Sequence, residues 1–385
     1  MKRKIRMGMV GGGPGAFIGS IHRIAAIMDG HIELVCGAFS SNPEKSADAG
    51  KELYLDPKRV YSTCHQMIEQ ELALAPDVRM DFVAIVTPNH LHFEPAKLAL
   101  ENGFHVVCDK PLALNLEEAI ALEKVVNSTD KLFALTHTYS GYPMIKEAKY
   151  LISTGVIGKV KKVMVEYPQS WLAKPIEFTG HKQADWRTDP KKAGISCCMG
   201  DIGTHVWHLA EYVTGLKIEE VAADLSTFVE GRLLDDDGSV LLRFQGGAKG
   251  ILTASQISTG EENNVRIKVY GEKAGLEWYQ EECNTLRIKW LDKPLEIRRT
   301  GGIGASPFSN FNTRVPAGHP EGYLEAFANI YRNFAFTLQS ILSNEAPKAE
   351  YLDFPTVSEG VRGMAFINAV VKSSKENAQW TKLEV

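Results

Sequence analysis

The chain has 385 residues, 44% hydrophobic and 23% charged, with a formal net charge of −4. Its length exceeds the roughly 250–300 residues that one core accommodates, and its composition excludes a disordered chain. The slight acidity removes any electrostatic case for nucleic acid or an anionic membrane as a partner, and no apolar run approaches the roughly 18 residues that would span a bilayer.

The basic start, MKRKIRMGMV, has too few apolar residues for a secretory signal, which needs about 7–15, and reads as the lead into a first strand. Strands are expected at 5–10, 31–39, 80–86, 105–108 and 132–136, and helices at about 16–28, 95–102 and 116–126. Apolar runs separated by helices indicate a parallel sheet covered on both faces, the doubly wound α/β plan of a Rossmann domain. After about residue 140 the pattern changes. A helix at 144–154 is followed by strand-like runs at 160–167, 220–229, 240–244, 250–257, 265–270, 276–279, 286–290 and 295–298. Few helices separate them, which predicts an α+β domain with a large, mostly antiparallel open sheet. The triplet Asp235-Asp236-Asp237 before Gly238 reads as a solvated turn, 300–322 as a long loop, and 323–342 and 357–375 as closing amphipathic helices. Domains are expected at 1–138 and 139–385. Cys36, Cys64, Cys108, Cys197, Cys198 and Cys283 form no C-x-x-C pair, so reduced thiols and a cytoplasmic location are expected.

GGGPGA, from Gly11 to Ala16, lies between the first strand and the first helix, where a dinucleotide fingerprint belongs. Gly11 permits the tight turn and Gly13 lets the backbone approach a pyrophosphate. Ala16 is small enough for the helix to pack on its strand, and the helix N-terminus offers N–H groups to the phosphates. Pro14, Gly15, Phe17 and Ile18 complete the expected cradle. NAD sites usually carry an acidic residue at the end of the second strand to bond the ribose 2′-hydroxyl. Here Ser40 and Ser41 stand instead, with Lys45 close behind. The cofactor is therefore read as NAD or NADP, the missing carboxylate tilting the balance to NADP.

Asp109-Lys110-Pro111 follows the fourth strand. Ligands of open α/β sheets bind at the carboxyl ends of strands, and a lysine there can stabilise an alkoxide-like oxygen; a cis bond before Pro111 suits such a turn. In GDIGTHVWH, residues 200–208, Asp201, His205, His208 and Tyr212 share one helical face beside an apolar stripe, which leaves the polar row facing a cleft or solvent. His205 there could take a hydroxyl proton, with Asp201 orienting it. Asp201 as a plain helix cap, and Asp201, His205 and His208 as metal ligands with His181 as a fourth, are competing readings, the metal disfavoured. Trp171, Trp186 and Arg187 are candidates for substrate or nicotinamide contact.

These motifs together resemble the Gfo/Idh/MocA family across the whole chain: VGGGPGAFIG, TPNHLH, DKP and GDIGTHVWH in order, with WRTDPKKAG and YGEKAGLEW as weaker supports. The resemblance implies a hydride transfer between a nicotinamide cofactor and a sugar, glycoside or polyol, and homo-oligomers, dimers or tetramers, formed through the outer face of the second sheet. By position it makes Lys110, His205 and Asp201 catalytic, and places Thr87, Pro88, Asn89, His92, Asp109 and Lys110 beside the cofactor. Three departures stand out: Asp109 replaces a glutamate, His208 replaces a frequent aspartate, and THTYSGYP lacks an arginine, leaving Tyr139 or His137 to shape the pocket. No metal is expected. Rival readings are an NAD-dependent glycosidase working through a transient keto-sugar, and a non-catalytic nucleotide-binding sensor.

Overall fold

A computed structural model describes residues 3–385, so the first two residues of the basic start lie outside the described residues. In chain order the elements are β1 (Ile5–Gly11), α1 (Phe17–Ile27), β2 (Ile32–Ala38), α2 (Pro43–Glu52), α3 (Cys64–Ala73), β3 (Phe82–Val86), α4 (Phe93–Glu101), β4 (His105–Cys108), α5 (Leu116–Ser128) and β5 (Phe133–Leu135). There follow α6 (Pro143–Ser153), β6 (Lys162–Pro168), α7 (Lys182–Arg187), α8 (Pro190–Ala193), α9 (Thr204–Thr214), β7 (Ile218–Ser226), β8 (Asp237–Phe244), β9 (Lys249–Ser255), β10 (Arg266–Tyr270), β11 (Ala274–Tyr279), β12 (Thr285–Trp290) and β13 (Glu296–Arg299). The chain closes with α10 (Pro307–Phe311), α11 (Tyr323–Leu342), α12 (Val357–Lys375) and β14 (Thr381–Lys382).

Two compact units result: Met1–Thr136 with Phe327–Val361, and His137–Ala326 with Arg362–Val385. The first holds a five-stranded sheet ordered β2-β1-β3-β4-β5, parallel throughout. Every residue of β3 and β4 is buried, the mark of strands covered on both faces. α2 and α3 have no counterpart among the expected helices. The buried positions of α2 are Ser46, Ala49 and Gly50, which give no apolar stripe, although Asn42 and Thr63 cap the two helices as good N-cap residues do.

The first unit's leading segment ends at Thr136, and the later chain is not all of one unit. Residues 327–361 belong with the parallel sheet. The reason is aromatic burial: Phe334 and Tyr331 of α11 bring their ring centres to 5.0 and 6.4 Å from that of Phe82 in β3, and the Leu135 N–H donates to the Pro355 carbonyl at 2.8 Å.

The second unit is built on a nine-stranded sheet ordered β13-β12-β11-β10-β6-β9-β8-β7-β14, antiparallel except for the β6–β9 pair. Alternating burial along β6 and β8 shows one face packed and the other open. α6 and α9 pack on each other, and α9 packs on β6. The acidic triplet is not a solvated turn. Asp236 is wholly buried, accepting the Phe228 and Val229 N–H groups and pairing with Arg232 at 3.1 Å, and Asp235 is buried as well. Carboxylates enter a core when backbone donors and a cation repay their lost hydration.

Candidate functional site

In the first unit the glycine turn leaves β1 with Gly11, Gly12 and Gly15 at φ of +86°, +75° and +75°, values that glycine alone adopts at little cost. A Cβ on Gly11 would stand 2.9 Å from the Thr87 side chain, so the turn runs against the loop that follows β3. One expected role gains a second reason and another shifts. Gly13 donates its N–H to the Phe39 carbonyl at 3.1 Å, and a Cβ there would meet that oxygen at 2.7 Å, so its small size serves the end of β2. Close packing of α1 falls to Gly19, whose Cβ would lie 2.3 Å from Gly12 Cα, while Ala16 is the N-cap and makes no side-chain cap. The turn so formed, with uncapped N–H groups at the head of α1, fits a dinucleotide phosphate. Arg23 had no signal in the sequence; its guanidinium donates to the Gly12 carbonyl at 2.9 Å and braces the turn from α1.

Past β2, Ser40 is half-buried and Ser41 and Lys45 are exposed. The Ser40 hydroxyl accepts from the Asn42 N–H at 3.1 Å, and the Asn42 side chain caps α2 by accepting from the Lys45 N–H. After β3, the Thr87 hydroxyl donates to the Leu91 carbonyl at 2.9 Å and closes the TPNHL turn, which also carries Pro88 and the buried Asn89. His92 is fully buried. Its Nδ1 lies 2.7 Å from the Pro111 carbonyl and its Nε2 2.8 Å from the Thr87 carbonyl, so the ring ties the loop after β3 to the turn after β4.

That turn contains a cis Lys110-Pro111 bond, as expected. The Asp109 N–H donates to the Ile85 carbonyl at 2.9 Å, and its carboxylate accepts the Thr136 hydroxyl at 2.8 Å. His22 of α1 lies 3.6 Å away through Nε2, with its Nδ1 2.6 Å from the Tyr331 hydroxyl. Burial alone would raise the Asp109 carboxyl. The nearby His22, Lys110 and His92 instead hold it well below the usual carboxylate range.

In the second unit, residues 199–203 make one π-type turn before α9, which ends at Gly215 in the left-handed region. Asp235 anchors the approach to that turn. Its carboxylate accepts the Cys197 and Met199 N–H groups at 2.9 Å each and the Ser196 hydroxyl at 3.0 Å. The polar row of the helix does not face solvent: His205 is 8% exposed and His208 2%. The His205 ring meets Tyr139 edge-on at 5.0 Å and His137 at 5.6 Å, while His208 stacks on His137 at 4.3 Å with planes 7° apart. The Tyr139 hydroxyl lies 2.5 Å from that of Tyr167, which donates to Asn263 at 2.6 Å. Burial pushes the Tyr139 phenol up to about 12, so it stays protonated at neutral pH.

Asp201 does not cap α9, whose N-cap is Gly203. Its carboxylate accepts from Arg187 Nε at 3.2 Å and from the Gln256 side chain at 2.9 Å. Trp171 and Trp186 flank that same guanidinium. The structure thus gathers Tyr139, His205 and His208 in one group and Trp171, Trp186, Arg187 and Asp201 in another. Gln256, Tyr167 and Asn263 were not foreseen, because they come from strand ends and the loop before β10, whose local sequence carries no motif. His181 instead caps α7, accepting the Ala184 N–H at 3.3 Å. Among the described residues, no three His, Cys, Asp or Glu side chains are grouped so as to hold a metal, and no helix is long and apolar enough to cross a membrane.

Residues 5–137 match a family model described as an oxidoreductase family with an NAD-binding Rossmann fold, and residues 145–277 match the GFO/IDH/MocA C-terminal domain. The chain is 30% identical to an uncharacterised oxidoreductase, YfiI, of Bacillus subtilis, over all of this chain and 98% of that one. Among solved structures, an oxidoreductase from Sinorhizobium meliloti is 45% identical with a TM-score of 0.89, covering 99% of this chain and 100% of that one. An inositol dehydrogenase homolog from Azotobacter vinelandii, complexed with NADH and myo-inositol, is 32% identical with a TM-score of 0.91, covering 99% and 98%.

Proposed function

Since the chain belongs to the Gfo/Idh/MocA family of oxidoreductases, we propose that it is a dehydrogenase acting on a secondary alcohol of an inositol-like polyol or a sugar. The observation that carries this reading is the placement, in one parallel sheet, of the glycine turn after β1 and Lys110 after β4, both at carboxyl ends of strands.

His205 takes the proton of the reacting hydroxyl, the Lys110 ammonium stabilises the oxygen as it becomes alkoxide-like, and Asp201 orients the substrate and the imidazole. A nicotinamide cofactor, when bound, supplies the hydride acceptor. Gly11, Gly13, Pro14, Gly15, Ala16, Phe17 and Ile18 hold its pyrophosphate. Thr87, Pro88 and Asn89 flank its ribose and nicotinamide, His92 braces their loop, and Asp109 fixes the Lys110 turn. Ser40, Ser41 and Lys45 receive the adenosine ribose, and with no carboxylate among them NADP is favoured over NAD. Tyr139, Trp171, Trp186, Arg187 and His208 line the substrate side. Copies of the chain associate as dimers or tetramers through the open face of the nine-stranded sheet, where Leu241 is 50% exposed.

The test is His205→Ala, assayed on polyols and sugars with each coenzyme at the reduced-nicotinamide absorbance band. General-base catalysis contributes typically about 10²–10⁴, so turnover should fall by that much. A loss below about tenfold refutes the role given to His205.

A further inference from the structure

Arg187, the last residue of α7, has its guanidinium fixed from several sides. Its centre lies 4.1 Å from the ring centre of Trp186 and 5.7 Å from that of Trp171. Nη1 donates to the Gln183 side-chain oxygen at 2.7 Å and to its carbonyl at 3.2 Å, and Nε donates to Asp201 at 3.2 Å. Both indole N–H groups are also engaged, Trp186 with Gln183 and Trp171 with Gln169. Nη2 alone has no acceptor among the described residues, and the side chain is 19% exposed.

An arginine kept only for an ion pair turns its Nε–Nη2 edge to a carboxylate in a two-bond fork. Here that edge meets Asp201 through Nε only. The oxygen it reaches, Oδ2, is shared with the Gln256 amide at 2.9 Å. The arrangement therefore offers a fixed donor, Nη2, beside a carboxylate acceptor, one turn ahead of His205 in the chain. A hydroxyl can accept from the one and donate to the other. A carboxylate or phosphate could only accept, and it would be repelled by Asp201.

We propose that Arg187 and Asp201 form a hydroxyl-recognition subsite that selects an uncharged ring polyol, Arg187 Nη2 and the Asp201 carboxylate reading hydroxyls next to the carbon oxidised. The two indoles and Gln183 hold the donor in place, so little freedom is lost when it bonds the ligand. This deepens the dehydrogenase reading and rests on it.

The experiment uses the full chain with coenzyme and four probes: myo-inositol and D-glucose as neutral rings, D-glucuronate and glucose 6-phosphate as anionic ones. Neutral probes should have the higher kcat/KM. Arg187→Lys, which keeps stem and charge, and Arg187→Gln should each raise KM for neutral probes about ten- to a hundredfold, the span of one charge-assisted hydrogen bond. The loss should fall more heavily on KM than on kcat, as expected when uniform binding is lost. An anionic probe with the higher kcat/KM, or a KM within about twofold of the parent in both variants, overturns the proposal. If no probe reduces the coenzyme, the dehydrogenase reading fails, and calorimetric titration of the coenzyme-loaded protein with myo-inositol decides the subsite separately. Binding lost in Arg187→Gln supports it, and no binding to the parent protein overturns it.

Discussion

Gly19→Ala tests whether α1 packs on the nucleotide turn as closely as described. The added Cβ would stand 2.3 Å from Gly12 Cα and 3.1 Å from the Gly12 carbonyl oxygen, and neither atom can rotate out of the way. Within a helix, alanine gains up to about 1 kcal/mol over glycine, whereas overpacking a tight contact costs about 1–3 kcal/mol. The difference leaves the apo protein between unchanged and about 3 kcal/mol less stable. The displaced atoms, however, belong to the middle of the turn proposed above to hold the pyrophosphate. If binding must restore the turn against the full strain, the Kd for NADH rises about five- to 150-fold. Fluorescence titration with NADH, set beside a thermal melt, reads both quantities. A Kd within about twofold of the parent with an unchanged or raised melting temperature would refute the contact.

Asp235→Asn keeps the shape of the side chain but turns an amide toward one of the Cys197 or Met199 N–H groups that the carboxylate now accepts. One buried donor is then unpaired, at a cost of about 1–3 kcal/mol. The melting temperature should fall, and turnover with it, because the turn carrying Asp201 loses its anchor; no change in either measurement would contradict this. His105 yields a pH prediction. Burial lowers its imidazole to about 4, and its Nδ1 accepts the Leu132 N–H at 2.8 Å, so it is neutral in the fold. The unfolded chain takes up this proton near pH 6.5 and the folded chain only near 4. Its contribution is therefore intact above about 6.5 and is lost as pH falls toward 4, by up to about 3 kcal/mol. Urea midpoints at pH 7 and 4.5 should show that loss. His105→Asn, whose amide oxygen can still accept from Leu132, should reduce it, and an equal pH dependence in parent and variant would contradict the assignment.

Much of this chain is written locally. The glycine turn, the five parallel strands and the cis turn at Lys110-Pro111 are legible because each depends on a few adjacent residues: apolar runs, glycines where φ is positive, a proline after a strand. The helix bearing His205 is legible for the same reason, through its apolar stripe and its glycine stop. α2 was not, since a helix that buries only serine, alanine and glycine shows no apolar period.

What only the tertiary structure decided concerns groups distant in sequence. The triplet at 235–237 looked like a surface turn because three carboxylates in a row suit water. Its burial depends on Arg232 and on main-chain donors from two other segments. Residues 327–361 read as a continuation of the second domain, yet their aromatic rings belong to the parallel sheet, a preference no local pattern encodes. Likewise Arg187 is set beside Asp201, and Tyr139 beside His205, by the packing of helices and strand ends. Backbone conformation follows from neighbours in the chain, whereas partners for buried charges and rings are chosen by neighbours in space.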